Sequence, residues 1–331
     1  MKLRMIVAGL LATAAAIAAP AQAQCPTPVA DGCQKAVDLL NFMTPQLSTA
    51  LVGGNPTLGQ GGVLGGLGHF SIDIRASAVN GQLPQFNNVG LSTAGAQRST
   101  FTSKQQFVPF PSFDVGVGLW RGYSLGVTHI GGIDALVTAT YIPTKIGSGG
   151  SSGSTNFTVS GSNPHFGYGV RIGLLEESVA TPGVSFAWVQ RDLPTLSLTG
   201  TIDASGSNPS GTIALNNFTV NTTAWRVTAA KSFLIFGISG GVGQDKYDAN
   251  SSVTATVNAA GNPSGTQSAA LSMTRMNYFV GAYMNLFVFK LEAEYGQVTG
   301  GTVPAALNSF GSDPATSRSY FTAGLRFGWG R

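Results

Sequence analysis

Histidine, serine and aspartate occupy every second position in His69-Phe-Ser71-Ile-Asp73. On an extended chain, residues two apart share a face. Such a row permits nucleophilic chemistry: serine attacks, histidine takes its proton, and the acid orients the histidine. Same-face neighbours stand ~6.5 Å apart along a strand, so the side chains would have to lean together. A second set of residues is charged. Asp73, Arg75, Asp114, Arg171, Arg226, Arg275, Lys290, Glu292, Glu294 and Arg326 each fall on the polar side of an alternating segment. Within a closed wall, such charges either line a path that selects small solutes or neutralise one another in a filled interior. The Lys290-x-Glu292-x-Glu294 stripe is expected to pair with arginines of neighbouring segments, Arg326 and Arg275. Cys25 and Cys33 are the only two cysteines, and no histidine is near them. They are expected to form a disulfide rather than a metal site. No phosphate-binding loop, HExxH zinc motif or EF-hand is found, and no cofactor is expected.

The elements that must position these groups are strands. Of 331 residues, 43% are hydrophobic and only 10% charged, against ~25% charged in an average soluble domain. Glycine contributes 45 residues. Past residue 20 no apolar run approaches the ~20 residues of a membrane-spanning helix. That excludes a polytopic helical membrane protein, and the hydrophobic content argues against disorder. From Leu67 onward apolar and polar residues alternate. Phe70, Ile72, Ile74 and Ala76 oppose Ser71, Asp73 and Arg75. Phe287, Phe289, Leu291 and Tyr295 oppose Lys290, Glu292 and Glu294. Short links near Arg121–Gly131, Leu175–Pro182, Lys231–Leu234 and Asn285–Phe287 alternate with long Gly/Ser/Asn-rich ones. Trp120, Tyr141, Trp188, Tyr295 and Trp329 lie near segment ends, as in interfacial girdles. The pattern predicts an all-β fold: a closed antiparallel transmembrane β-barrel of about ten strands, within a range of eight to fourteen. Pro194 marks a bulge or an edge inside one long segment.

The amino terminus differs. Lys2 and Arg4 precede an apolar run from Ile6 to Ala19, and Ala21 and Ala23 suit a cleavage site. Residues 1–23 therefore read as a signal peptide. Without Lys2 and Arg4 the charge is 16 − 14 = +2, too balanced to suggest nucleic acid as a partner. Residues 24–66 form a separate segment, either periplasmic or a plug. A short helix is predicted over Gln34–Leu51, kinked or ended at Pro45, followed by a glycine-rich approach to the barrel at 67–331. The Gly147–Ser154 run reads as a flexible loop tip.

The closing segment Ser319-Tyr-Phe-Thr-Ala-Gly-Leu-Arg-Phe-Gly-Trp329 resembles the last strand of bacterial outer-membrane β-barrel proteins. Gly330 and Arg331 after the terminal aromatic depart from that pattern. The resemblance implies a Gram-negative-type outer membrane as location. It implies outer-membrane lipids and lipopolysaccharide as surroundings, and reading of the last strand by the barrel-assembly machinery. Gly54-Asn55-Pro56 and the glycine-rich lead-in are loosely similar to FadL-like transporters, whose amino-terminal region blocks the barrel. His69-x-Ser71 is similar to the His-x-Ser of outer-membrane lipid hydrolases. The leading expectation is passive or weakly selective passage of a small solute. A structural or surface-interaction barrel with a filled lumen comes second, and a lipid-modifying hydrolase third.

Overall fold

The computed structural model describes residues 25–86, 89–141, 145–146, 155–159 and 164–329. The expected signal peptide, the Gly147–Ser154 loop and the final Gly330–Arg331 lie outside them. A turn of 3-10 helix at Thr27–Val29 leads into α1 (Ala30–Val52). The strands follow: β1 (Phe70–Gln85), β2 (Thr102–Trp120), β3 (Tyr123–Leu125), β4 (Thr128–Ile130) and β5 (Ile133–Thr140). Next come β6 (Lys145–Ile146), β7 (Thr155–Val159), β8 (His165–Leu175), β9 (Gly183–Asp192) and β10 (Leu196–Ile202). The chain ends with β11 (Gly211–Phe233), β12 (Phe236–Val257), β13 (Ser264–Leu286), β14 (Phe289–Val298) and β15 (Arg318–Trp329).

Ten of these strands close a ring in the order β1, β2, β5, β8, β9, β11, β12, β13, β14, β15. Every neighbour is antiparallel, and β15 returns to β1 with Phe70 opposite Trp329. Closure leaves no unpaired edge among the ten. One end carries the short turns, including Phe233–Phe236 and Leu286–Phe289, together with the start of β1 and the finish of β15. The long loops lie at the far end. β3 and β4 form a small hairpin at the short-turn end. At the far end β10 takes over pairing with β11 from β9, and β7 and β6 add to it. The long segment with Pro194 is thus two strands, broken at 193–195, because proline cannot donate to a ladder.

The wall changes character along its height. Near the short turns, Ile74, Phe113, Val137, Ile238, Val280 and Leu325 are exposed outward. The inward partners there are charged or small: Asp73, Arg75, Asp114, Ser239 and Arg326 are buried. Aromatic residues bound this band. On β11, Trp225 and Phe233 share the outer face eight residues apart, about 27 Å along a strand at ~3.4 Å each. Strand tilt of ~40° reduces that to about 20 Å across, close to the ~25 Å apolar belt of a membrane barrel. An apolar belt of this extent in water would be an association surface; against hydrocarbon it is what the solvent requires.

Beyond Trp225 the chemistry inverts. Ile213, Leu215, Phe218 and Val220 of β11 are buried inward, as are Tyr247, Ala249, Val253 and Val257 of β12. Their outward neighbours include Asn221, Lys246, Asp248, Asn250 and Thr254, which are polar. The barrel stands on an inverted lower storey and carries an upper storey built like a water-soluble protein, polar outside and apolar inside.

The apolar interior of the upper storey receives α1. The helix is buried along nearly its whole length, with Leu39, Leu40 and Phe42 fully enclosed. It starts at Ala30 rather than Gln34 and passes through Pro45 to Val52, instead of ending there. Proline removes a backbone donor, and side chains on either side bond back to the ladder. Thr44 Oγ1 donates to Leu40 O (2.8 Å), Gln46 Nε2 to Phe42 O (3.0 Å) and Thr49 Oγ1 to Pro45 O (2.7 Å). Packing on all sides supplies what propensity withholds.

Candidate functional site

Below α1 the chain continues as a strap, residues 53–68, running through the lower storey to β1. The strap buries its own Leu58, Val63 and Leu64 against the wall, and charged groups of the wall bond to its backbone. Arg75 Nη1 donates to the carbonyls of Gly53 (3.2 Å) and Gly54 (3.3 Å). Glu294 Oε1 accepts from the Asn55 N–H at 3.1 Å, and Asn55 Nδ2 donates to Thr228 Oγ1 at 3.0 Å. Asp134 accepts from the Leu64 N–H at 3.1 Å. Gln60 Oε1 accepts from Arg171 (2.7 Å) and Arg326 (3.2 Å). Lys290 Nζ reaches Gly59 O at 3.5 Å and lies 4.4 Å over the Tyr283 ring. Two glycines allow this fit. Gly54 has φ +82°, and a Cβ there would stand 2.7 Å from Arg75 Nη1. A Cβ on Gly61 would stand 2.3 Å from Gly183 O.

The wall charges also neutralise one another. Arg75 Nε pairs with Asp114 Oδ2 at 2.5 Å, Arg171 with Asp134 at 2.5 Å and Arg226 with Asp245 at 2.5 Å. Arg326 bridges Asp73 (2.6 Å) and Glu292 (3.3 Å). Glu292 of the stripe therefore meets Arg326, but Arg275 joins no member of the stripe. It donates instead to Thr299 O (2.5 Å), Thr316 O (2.8 Å) and Thr49 Oγ1 (3.4 Å). The reason is height: Arg275 lies in the upper part of β13, while Glu292 of β14 is opposite Tyr283. Glu294 is claimed by Asn55 and by the Tyr320 hydroxyl, at 3.3 Å.

Three arginines converge on the last turn of α1. Arg191 Nη1 donates to Leu51 O at 3.3 Å, Arg275 to Thr49, and Arg75 to Gly53 and Gly54. The final carbonyls of a helix lack intrahelical donors and carry partial negative charge, so guanidinium groups suit them. Asp134, Asp245 and Arg191 complete the belt although the alternation around them did not single them out. Asp134 sits in an eight-residue strand, and Asp245 at the point where β12 exchanges its apolar and polar faces.

At the far end α1 holds the loops. Asp31 accepts from the Ser92 and Gln97 N–H groups, both at 2.8 Å, and pairs with Lys35 at 2.5 Å. Asp38 accepts from the backbone (2.9 Å) and side chain (2.7 Å) of Asn308. Burial pushes the Asp38 carboxyl above its usual range, against the lowering pull of Asn308. Burial likewise lowers the Lys35 ammonium, partly offset by Asp31. Phe42 stacks on Phe310 (4.8 Å) and Phe310 on Phe101 (4.9 Å), joining both loops to the helix. Cys25 and Cys33 are joined as a disulfide around the first turn.

The row His69-Ser71-Asp73 is not assembled as a relay. His69 precedes β1, half-buried, with Nδ1 3.2 Å from Gly66 O, while the Asp73 carboxylate is engaged by Arg326. Ser71 borders a cavity of about 360 Å³ at the short-turn end, shared with Gly61, Tyr283, Phe289, Lys290 and Arg326. A second cavity of about 390 Å³ opens at the far end beside Asp38, Phe42, Phe310 and Asp313. Among the described residues, no group of three or more histidine, cysteine or acidic side chains is placed to hold a metal.

No family model matches the chain, and no curated protein matches it in sequence. Solved structures similar to it are bacterial outer-membrane barrels. The outer membrane protease OmpT from Escherichia coli is 12% identical, with a TM-score of 0.43, over 79% of this chain and 97% of that one. The translocator domain of the autotransporter NalP from Neisseria meningitidis is 10% identical, with a TM-score of 0.36, over 88% and 96%. The Pseudomonas putida toluene transporter TodX is 12% identical, with a TM-score of 0.31, over 79% and 89%. The barrel assignment itself rests on strand pairing and on the apolar belt described above.

Proposed function

We propose that the chain is an outer-membrane barrel for the passage of small solutes, held shut in this conformation by its own amino-terminal segment. The observation that carries this reading is the mode of closure. The strap occupies the lower lumen by hydrogen bonds to the wall: Arg75 donates to Gly53 O and Arg171 to Gln60 Oε1, while Glu294 and Asp134 accept from the Asn55 and Leu64 N–H groups. Bonds of this kind, each with one charged partner and worth ~1.5–3 kcal/mol, can be exchanged for bonds to water or solute. A cavity lies on either side of the closure. Passage then requires the strap to leave the wall and α1 to shift within the upper storey that it fills. Lipopolysaccharide and outer-membrane lipids contact the apolar belt, and β15 presents the signal to the assembly machinery.

A cross-link tests this. Leu58 Cδ2 lies 3.1 Å from the place a Cβ would take on Gly324 of β15. The double variant Leu58→Cys, Gly324→Cys should conduct in planar bilayers when reduced, fall silent on oxidation, and recover with reductant. The full burial of α1 favours a second reading, a structural barrel whose lumen never opens. A wild-type protein without reproducible current steps, or current indifferent to the cross-link, would establish that alternative.

A further inference from the structure

The two ends of the barrel differ in the chemistry of their links. Four links join ring strands at the short-turn end, and each puts an apolar side chain at its tip. Val127 is 82% exposed and Leu234 98%, while Val179 and Phe287 stand wholly free. Leu234 and Phe287 also have positive φ, +55° and +53°. Two-residue hairpins favour glycine or asparagine there, and bulky residues are strained. The far-end links are polar instead, as in Asp203-Ala-Ser-Gly-Ser-Asn-Pro-Ser210 and Asn258-Ala-Ala-Gly-Asn262. Water as the surroundings accounts for the far-end set and not for the four apolar tips.

The tips continue the apolar belt. Phe233 and Phe236 flank Leu234–Ile235, and Leu286 and Phe289 flank Phe287–Val288. On β11 the belt from Trp225 to Phe233 spans about 20 Å, some ~5 Å less than the ~25 Å of a membrane barrel. The two residues past Phe233 add about 5 Å at the same rise and tilt. Polar groups of the rim are satisfied within it, as contact with lipid requires. Lys231 Nζ donates to the Ser178 carbonyl and to those of Val179 (3.1 Å) and Thr181 (3.3 Å). The Asn285 N–H donates to Ile235 O at 2.7 Å, and the Ser232 and Tyr283 hydroxyls share a hydrogen bond of 2.9 Å. Among the described residues of these turns, Arg121 is the one exposed charged side chain, and a guanidinium suits lipid phosphates. We propose that this rim is sunk in the phospholipid leaflet around it, with Val127, Val179, Leu234 and Phe287 among the acyl chains and headgroups. The cavity of about 360 Å³ bordered by Phe287 and Val288 then opens at headgroup level rather than into free water. Insertion of the rim requires only the barrel and is independent of whether the lumen conducts.

Nitroxide labels on the full chain, folded into phosphatidylethanolamine–phosphatidylglycerol liposomes, test this. The single variants Leu234→Cys and Phe287→Cys carry the label at the rim. Val280→Cys supplies a reference on the exposed belt, and Ser207→Cys one on a far-end loop. Oxygen concentrates in hydrocarbon, and a hydrated nickel chelate stays in water. The rim labels should gain collisions with oxygen and lose collisions with the chelate, lying closer to the Val280 label than to the Ser207 label on both measures. Two rim sites keep the test decisive where one labelled variant fails to fold. Chelate access equal to that at Ser207 would place the rim in water, as for a surface awaiting another protein, and overturn the proposal. Loss of access to oxygen and chelate alike, with spin–spin broadening between labels, would assign the rim to a second copy of the chain and overturn it as well.

Discussion

The two storeys of this barrel share one alternating backbone, carried through both by β11 and β12, yet they solve opposite problems. In the lower storey the outside is apolar and the inside carries Asp73, Arg75, Asp114, Asp134, Arg171 and Arg326. In the upper storey Ile213, Leu215, Phe218 and Val253 turn inward, and Lys246, Asp248 and Asn250 turn out. The strands keep their geometry while their surroundings change from hydrocarbon to water. The amino-terminal segment changes with them: a buried helix where the lumen is apolar, a glycine-rich strap where it is charged. A helix satisfies its own backbone and can rest in an apolar tube; a strap leaves N–H and C=O groups open and needs polar walls.

This contrast can be broken from either side. The largest effect is expected in the lower storey. Arg171→Met leaves the Asp134 carboxylate buried without its guanidinium, which should cost about 3–5 kcal/mol in urea unfolding of the barrel in liposomes. Adding Asp134→Leu should restore most of that stability while deleting the acceptor of the Leu64 N–H, so the strap loosens and current rises. In the upper storey Phe42→Ala removes a ring stacked on Phe310 and should cost about 3 kcal/mol by the same measurement. Protease cleavage in the loop at 89–101 should quicken. The smallest effect is the pH response of the far-end latch. Because the Asp38 pKa is raised on folding, the folded protein holds that proton more tightly than the unfolded chain. Its contribution to stability therefore declines as pH climbs from the ordinary carboxylate range through the raised value. Asp38→Asn should flatten that part of a Tm-against-pH curve.

Much of the architecture was legible because period two is a strong signal, and the short turns separate the strands cleanly. Arg75, Arg171, Arg226 and Arg326 stand out for the same reason: each lies on the face opposite an unbroken apolar stripe. The inversion was harder to read. It shows on β12 as a change of apolar parity, from Ile238 and Val242 to Tyr247, Ala249 and Val253, and on β11 it is obscured by the irregular pairing between Asn216 and Thr219. Uniform alternation had suggested apolar residues facing outward throughout. Pro45 misleads for a different reason. Its rule describes a helix in water, whereas this one is enclosed by β11, β12 and β13, whose packing offsets the missing donor. Arg275 was assigned the wrong partners because strand height, unlike face, cannot be taken from parity.

The direction of α1 has a last consequence. Cys25 and Val29 lie against Gly265, beside the β12–β13 tip, while Leu51 lies about 35 Å further down at ~1.5 Å per residue. The polypeptide thus enters its own tube from the loop side and β15 finishes on the other. Cys25 and Trp329 therefore lie at opposite ends of the barrel. An epitope fused just ahead of Cys25 should be stained by antibody on intact cells, whereas one fused after Trp329 should stay hidden until the envelope is permeabilised.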